Sequence, residues 1–241
     1  MQDNAQRDEF VRVSQYVGRN PAYVQGGGGN TSAKLSNDRM LVKASGVTLA
    51  SVSQTEGYAD VNFAAIRDYV KAPSDIEDVF NASVISSNIS EGFRPSMETG
   101  FHAILDGFVL HSHSVYANVL TCSQEGAAIL AKLFPQAAWI PYTPPGRELT
   151  LKILELTDRS VFFLQNHGLV VRAQTGDAVI AAHEEVNTTI RQHLGLNRDF
   201  DPNSTKHRTR AFMDSHILFP DQVIFTSPSS AFDGTQAQHE T

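Results

Sequence analysis

The chain reads as a single α/β domain, on three observations. Short apolar runs with strand character, at Met40–Lys43, Gly107–Leu110 and Val161–Leu164, alternate with longer stretches of helical periodicity. Hydrophobic residues make up 41% of the 241 positions, enough for a substantial core, and chains of this length often close into one α/β unit. No internal repeat or linker divides the sequence. We assign one domain over residues 1–220 and a C-terminal segment, 221–241, expected to be mobile at its end.

Residues 1–20 form the first expected helix, because Phe10, Val13 and Val17 recur at helical spacing and the pattern stops before Asn20-Pro21. Four consecutive glycines follow, Gly26–Gly29, then Asn30, Thr31 and Ser32. Glycine permits unusual backbone angles, and exposed N–H groups beside short polar side chains make an anion cradle. The alternative is a flexible turn. The run is not a dinucleotide fingerprint, since Thr31 takes the last glycine position, and no Gly-Lys-Ser/Thr follows as in a P-loop. Strand Met40–Lys43 leads into the small-residue turn Ala44-Ser45-Gly46; Lys43 either faces an anion or is a solvated strand-end charge. A short edge strand is expected over residues 56–62, a helix over Ile66–Val70, and another over Glu77–Ile85.

Pro95-Ser96-Met97-Glu98 is the strongest turn signal. Ser96 is positioned to cap a helix over Thr99–Leu105, with Glu98 in its first turn, where a carboxylate suits the helix dipole. His102, one turn beyond Glu98, reads as helix packing. Residues 115–134 read as one or two helices, and another begins after Gly146. Cys122, the only cysteine, reads as packing in an apolar helical context. Asp177–Leu194 is a long amphipathic helix. Its HEEVN segment is not the HExxH zinc motif, because Asn187 stands where the second histidine belongs.

The chemistry is concentrated in three histidines and one glutamate. His111 and His113 flank Ser112 at the end of an apolar strand, and residues two apart on a strand share a face. His167 follows strand Val161–Leu164 and precedes Gly168, which places it near a strand end or tight turn. Catalytic zinc takes three protein ligands and keeps one position open. We expect the three imidazoles to hold one divalent metal, with Glu98 moving a proton beside it; the alternative is three ordinary histidines. The net charge of -7 and pI near 5.7 argue against a general nucleic-acid surface. Without a secretory leader or a long apolar span, a cytoplasmic protein with no membrane partner is expected.

The blocks GGNTS, KASG, PSMET with GFHA, HSHS and NHGL, in this order over about residues 10–195, resemble the class II aldolase and adducin head family. Within it, the chain looks closest to the rhamnulose-phosphate aldolase-like branch. The resemblance implies a three-layer α/β/α sandwich around a largely antiparallel sheet, and a homotetramer with active sites at subunit interfaces. It implies zinc, or another divalent metal, on His111, His113 and His167, with Glu98 as the catalytic carboxylate. It implies a phosphate site from Asn30, Ser45, Gly46 and Ser96, to which the turns add Gly29 and Lys43. Two departures stand out. Met97 replaces a serine frequent in family aldolases, and no tyrosine follows Tyr142 to serve the aldehyde oxygen.

The implied reaction is reversible cleavage of a ketose phosphate to dihydroxyacetone phosphate and an aldehyde, the metal acting as Lewis acid. Sugar-phosphate epimerases, a dehydratase and keto-acid-phosphate decarboxylases use the same scaffold. A non-catalytic adducin-like module needs no metal triad. A cupin-type oxygenase would need a glutamate shortly after HSHS, and none is there.

Overall fold

The structure is a computed structural model that describes residues 2–71, 84–90 and 92–201. The helix expected over Glu77–Ile85 falls largely outside these residues. So do the boundary at 220 and the end expected to be mobile.

Seven strands form one sheet: β1 Asn30–Lys34, β2 Arg39–Lys43, β3 Tyr58–Asn62, β4 Phe108–Ser112, β5 Ala138–Ile140, β6 Val161–Leu164 and β7 Gly168–Ala173. Their order is β3-β2-β1-β4-β7-β6-β5. Every neighbouring pair is antiparallel except β5 with β6. Seven helices accompany them among the described residues: α1 Gln2–Gly18, α2 Phe63–Lys71, α3 Thr99–Ile104, α4 Val115–Thr121, α5 Gly126–Leu133, α6 Arg147–Leu154 and α7 Gly176–His193.

Period-2 alternation divides the apolar side chains between two cores. On β4, Leu110 joins Phe10, Val13 and Val17 of α1, Tyr116 and Leu120 of α4, and Val179, Val186 and Ile190 of α7. Val109 joins Ile66 of α2, Phe101 of α3, and Leu149 and Ile153 of α6. The sheet is therefore covered on both faces, which is the expected α/β/α sandwich. It explains why even the polar strand β1 is buried over Asn30–Ala33.

Two local expectations are corrected. Ser96 does not cap α3, whose N-cap is Glu98 with no side-chain capping bond. Instead, Ser96 Oγ accepts from the Glu98 amide at 3.2 Å and the Ser96 carbonyl accepts from Thr99 Oγ1 at 2.6 Å, so Ser96 builds the turn before the helix. Cys122 is exposed at the C-cap of α4 and not packed.

Candidate metal centre

β4 is the central strand of the site. Asn30 of β1 lies opposite His111, and Val170 of β7 lies opposite it on the other side. His111 shares the parity of Val109 and leaves the sheet toward α3; its ring meets Phe101 edge-on, centroids 5.8 Å apart. His113 follows on the same face. His167 closes the group from the Gln165–His167 turn between β6 and β7, where Asn166 takes the left-handed region at φ 55° and the His167 amide donates to the Leu164 carbonyl at 3.1 Å. Gly168 lets this turn approach. A Cβ there would lie 2.3 Å from the Ser112 carbonyl oxygen and 3.3 Å from the rings of His111 and His113.

The three imidazoles are buried, and their ligand atoms all lie within 4.8 Å of one another. His111 Nδ1 donates to the Leu169 carbonyl at 3.1 Å, which fixes its tautomer and leaves the Nε2 lone pair facing His113 Nε2, also 3.1 Å away. Nitrogens bound to one tetrahedral zinc at ~2.0–2.1 Å stand ~3.3 Å apart. Converging nitrogens in a buried setting thus fit a divalent cation, and burial, which pushes the His111 pKa well below its ordinary value, keeps that imidazole a ligand and not an imidazolium.

Glu98 reaches over this group. Its Oε2 is 3.6 Å from His111 Nε2 and its Oε1 is 3.3 Å from His167 Nε2. Oε2 also accepts from Asn30 Nδ2 at 2.7 Å, whereas Oε1 is buried with no hydrogen-bond partner. Burial raises the carboxyl's pKa, but electrostatic coupling to His111, His167 and His113, with the Asn30 hydrogen bond, outweighs it and brings it down to about 2. One oxygen is held by Asn30, and the other, without a hydrogen-bond partner, lies against His167.

The expected phosphate residues fall into two groups. Ala44 and Pro95 form an antiparallel bridge and the Ser45 amide donates to the Arg94 carbonyl at 2.9 Å, so the KASG turn lies beside the segment carrying Ser96 and Glu98. Ser45 and Gly46 are exposed. Gly46 has φ +75° and open space around its missing Cβ. Gly29, at φ +69°, is packed, since a Cβ would lie 2.8 Å from the His111 carbonyl. Lys43 is buried, which rules out a solvated strand-end charge, and its Nζ donates to the Gly27 carbonyl at 2.7 Å. It shares the parity of Leu41 and leaves the sheet on the α1 side, opposite to Asn30.

Residues 8–194 match the Class II Aldolase and Adducin N-terminal domain. The chain belongs to this family. Among curated proteins it is 26% identical over 212 residues to the Bacillus subtilis uncharacterized oxidoreductase YuxG, covering 77% of this chain and 30% of that protein. It is 29% identical over 136 residues to methylthioribulose-1-phosphate dehydratase of Pectobacterium atrosepticum, covering 54% and 55%. It is 26% identical over 197 residues to 3-oxo-tetronate 4-phosphate decarboxylase of Haemophilus influenzae, covering 71% and 78%. The chain thus spans about a third of the first of these relatives and about half of the second. The N-terminal class II aldolase domain of a Thermoplasma acidophilum protein superposes with a TM-score of 0.71 at 25% identity, covering 78% of this chain and 92% of that one.

His102 is the residue that sequence reasoning undervalued. It is fully buried and is not mere packing: Nδ1 meets Ser32 Oγ at 2.8 Å and Nε2 meets Asn30 Oδ1. Its spacing of four from Glu98 puts both on one helix face. Asn30 and Ser32, two apart, share one strand face. Both signals are present in the sequence; that the two faces meet is not.

Proposed function

We propose that this protein is a divalent-metal-dependent lyase acting on a small phosphorylated ketose, cleaving it reversibly to dihydroxyacetone phosphate and an aldehyde. The observation that carries this reading is the Glu98 carboxylate, with one oxygen tied to Asn30 and the other unpartnered against three converging imidazoles. His111, His113 and His167 would hold zinc or a similar ion, which when bound supplies Lewis-acid polarisation of the substrate carbonyl.

In the synthetic direction, Glu98 takes a proton from the hydroxyl-bearing carbon of dihydroxyacetone phosphate. The electron pair left behind passes into the enediolate and then forms the new carbon–carbon bond to the aldehyde, whose oxygen gains a proton. Cleavage is the reverse, with Glu98 returning its proton to carbon. The turn Ser45-Gly46 and the adjoining Ser96 would receive the phosphate, with Gly29 and Asn30 completing the glycine-rich side; Lys43, on the opposite face of the sheet, would act only through the Gly27 carbonyl it binds. A homotetramer working in the cytoplasm belongs to the same reading; sedimentation of the purified protein tests the assembly. No helix among the described residues is long and apolar enough to cross a membrane.

One observation favours a second reading, decarboxylation of a phosphorylated keto acid. The chain is similar to 3-oxo-tetronate 4-phosphate decarboxylase over 78% of that protein. Loss of carbon dioxide needs a proton only at carbon, which Glu98 alone supplies. A panel of ketose phosphates and keto-acid phosphates, with coupled detection of dihydroxyacetone phosphate and carbon dioxide, separates the two. Dihydroxyacetone phosphate from a ketose phosphate is the expected result; carbon dioxide from a keto acid without it replaces the aldolase reading.

A further inference from the structure

Glu98 depends on a buried chain of side chains that reaches away from the metal centre. Asn30 Nδ2 donates to Glu98 Oε2 at 2.7 Å. That leaves Oδ1 as the Asn30 atom facing His102 Nε2. An amide oxygen only accepts, so the Nε2 must carry the proton. Burial pushes the His102 pKa down to about 3, so the ring is neutral and holds a single proton. Nδ1 is then a bare acceptor, and the Ser32 hydroxyl at 2.8 Å must be its donor. The three hydrogen bonds that join Ser32, His102, Asn30 and Glu98 therefore all run in one direction.

The scaffold holds this chain from both sides. Asn30, Ser32 and Lys34 are successive residues on one face of β1, and all three bind His102: two at its ring, and Lys34 through Nζ to its carbonyl oxygen. His102 also stacks on Phe101, ring centroids 4.5 Å apart. An asparagine amide is nearly symmetric in shape, and turned the other way it would set a carbonyl oxygen against the Glu98 carboxylate. The Glu98 carboxylate, which only accepts, disfavours that orientation at one end of the amide, and the His102 Nε2–H disfavours it at the other.

We propose that His102 is a positioning residue for the reaction. Its Nε2–H fixes the Asn30 amide so that Nδ2 faces Glu98, and the carboxylate is thereby held over the imidazole group. This rests on Glu98 as the proton carrier, but the orientation itself can be read without substrate.

The test uses full-length protein labelled with 15N in histidine and in the asparagine side chain, with and without zinc. His102, assigned by the signal lost in His102→Gln, should show the neutral Nε2–H tautomer in both states. The Asn30 Nδ2 protons should exchange slowly with solvent, stay slow in His102→Gln, which keeps a donor toward Oδ1, and exchange faster in His102→Leu. An Nδ1–H tautomer or an imidazolium at His102 overturns the proposal, as does Asn30 exchange unchanged in His102→Leu. With a substrate from the panel, His102→Leu should lower kcat by about 10²-fold, the scale of a misplaced reacting group, at unchanged metal content, and His102→Gln should restore most of it. A matching loss in both variants, or a change in KM alone, also overturns it. Absence of lyase turnover in the wild type defeats the functional reading instead, and the tautomer and exchange data still decide the orientation.

Discussion

The two faces of β4 carry histidine clusters that differ in one respect. On the α3 face, His111 and His113 meet His167 with lone pairs converging and a carboxylate oxygen left unpartnered. On the α7 face, Ser112 Oγ meets His183 Nε2 at 2.8 Å, Asn187 Nδ2 donates to the His183 carbonyl at 2.8 Å, and Ser114 Oγ donates to Asn187 Oδ1. Tyr23 packs edge-on against the His183 ring, centroids 4.6 Å apart. Both clusters are buried, so burial does not mark function. What separates them is arrangement: the second face is a network of hydrogen bonds, and the first gathers three imidazoles whose ligand atoms could hold one cation beside a carboxylate.

The largest expected effect separates the two faces by metal content. His111→Ala or His167→Ala should lower metal affinity by more than ~100-fold, beyond what losing a hydrogen-bond partner behind a ligand costs. His183→Ala should still bind one equivalent. Elemental analysis after dialysis against a weak chelator reads this directly; loss of metal from a folded His183→Ala protein would erase the distinction.

Next in size is the carboxylate. Glu98→Gln should fold and keep its metal, since the ligands are imidazoles, while turnover falls by about 10²–10⁴, the scale of a positioned acid–base. Exchange of the carbon-bound proton of the nucleophilic product with solvent should fall with it. Full activity in a metal-loaded Glu98→Gln protein would remove Glu98 from the mechanism.

On the other face the expected effect is on stability. Ser112→Ala removes the shorter of the two contacts of His183 Nε2, leaving only Asn187 Nδ2 at 3.3 Å, and should cost about 1–3 kcal/mol in denaturant unfolding, with kcat within a few-fold of wild type at saturating metal. A turnover loss as deep as that of Glu98→Gln, in a protein still folded and metal-loaded, would mean the α7 face takes part in the chemistry.

How much of this was legible in the sequence follows from the range of each interaction. The HSH pair depends only on the period of a strand, and the position of His167 only on a short turn before glycine; both are local, and both were readable. The α/β/α layering was implied by the resemblance and is borne out by two cores that split β4 at Val109 and Leu110. The role of His102 was hidden because it needs β1 beside β4, strands separated by more than seventy residues, with Asn30 opposite His111. The HEEVN segment lacks the second histidine of the zinc motif. Its actual work, with His183 and Asn187 four apart on one helix face, requires knowing that Ser112 and Ser114 face α7. Ser96 and Cys122 failed differently: each turned on where a helix begins or ends within a residue or two, which propensity resolves poorly.

The smallest expected effect is a pH dependence of stability on the α7 face. Burial pushes the His183 pKa down to about 3, against about 6.5 for an exposed imidazole. The unfolded chain therefore binds a proton that the folded chain refuses. The stability this confers is complete above pH 6.5 and is lost as pH falls from there toward 3. Going from pH 8 to pH 6, this one group should cost about 0.8 kcal/mol, and about 2 kcal/mol by pH 5. His102, with its pKa also pushed down to about 3, and His111, also pushed down by burial, act in the same direction, so the wild-type curve alone cannot isolate His183. His183→Gln can, because it removes one titrating group and leaves the others in place. The two proteins, unfolded in urea with chelator present at pH 8, 6 and 5, should differ in their pH-induced loss by about these amounts, the variant losing less. Parallel curves would mean that His183 is protonated in the folded state, and hence that Ser112 and Asn187 satisfy an imidazolium and not a neutral ring.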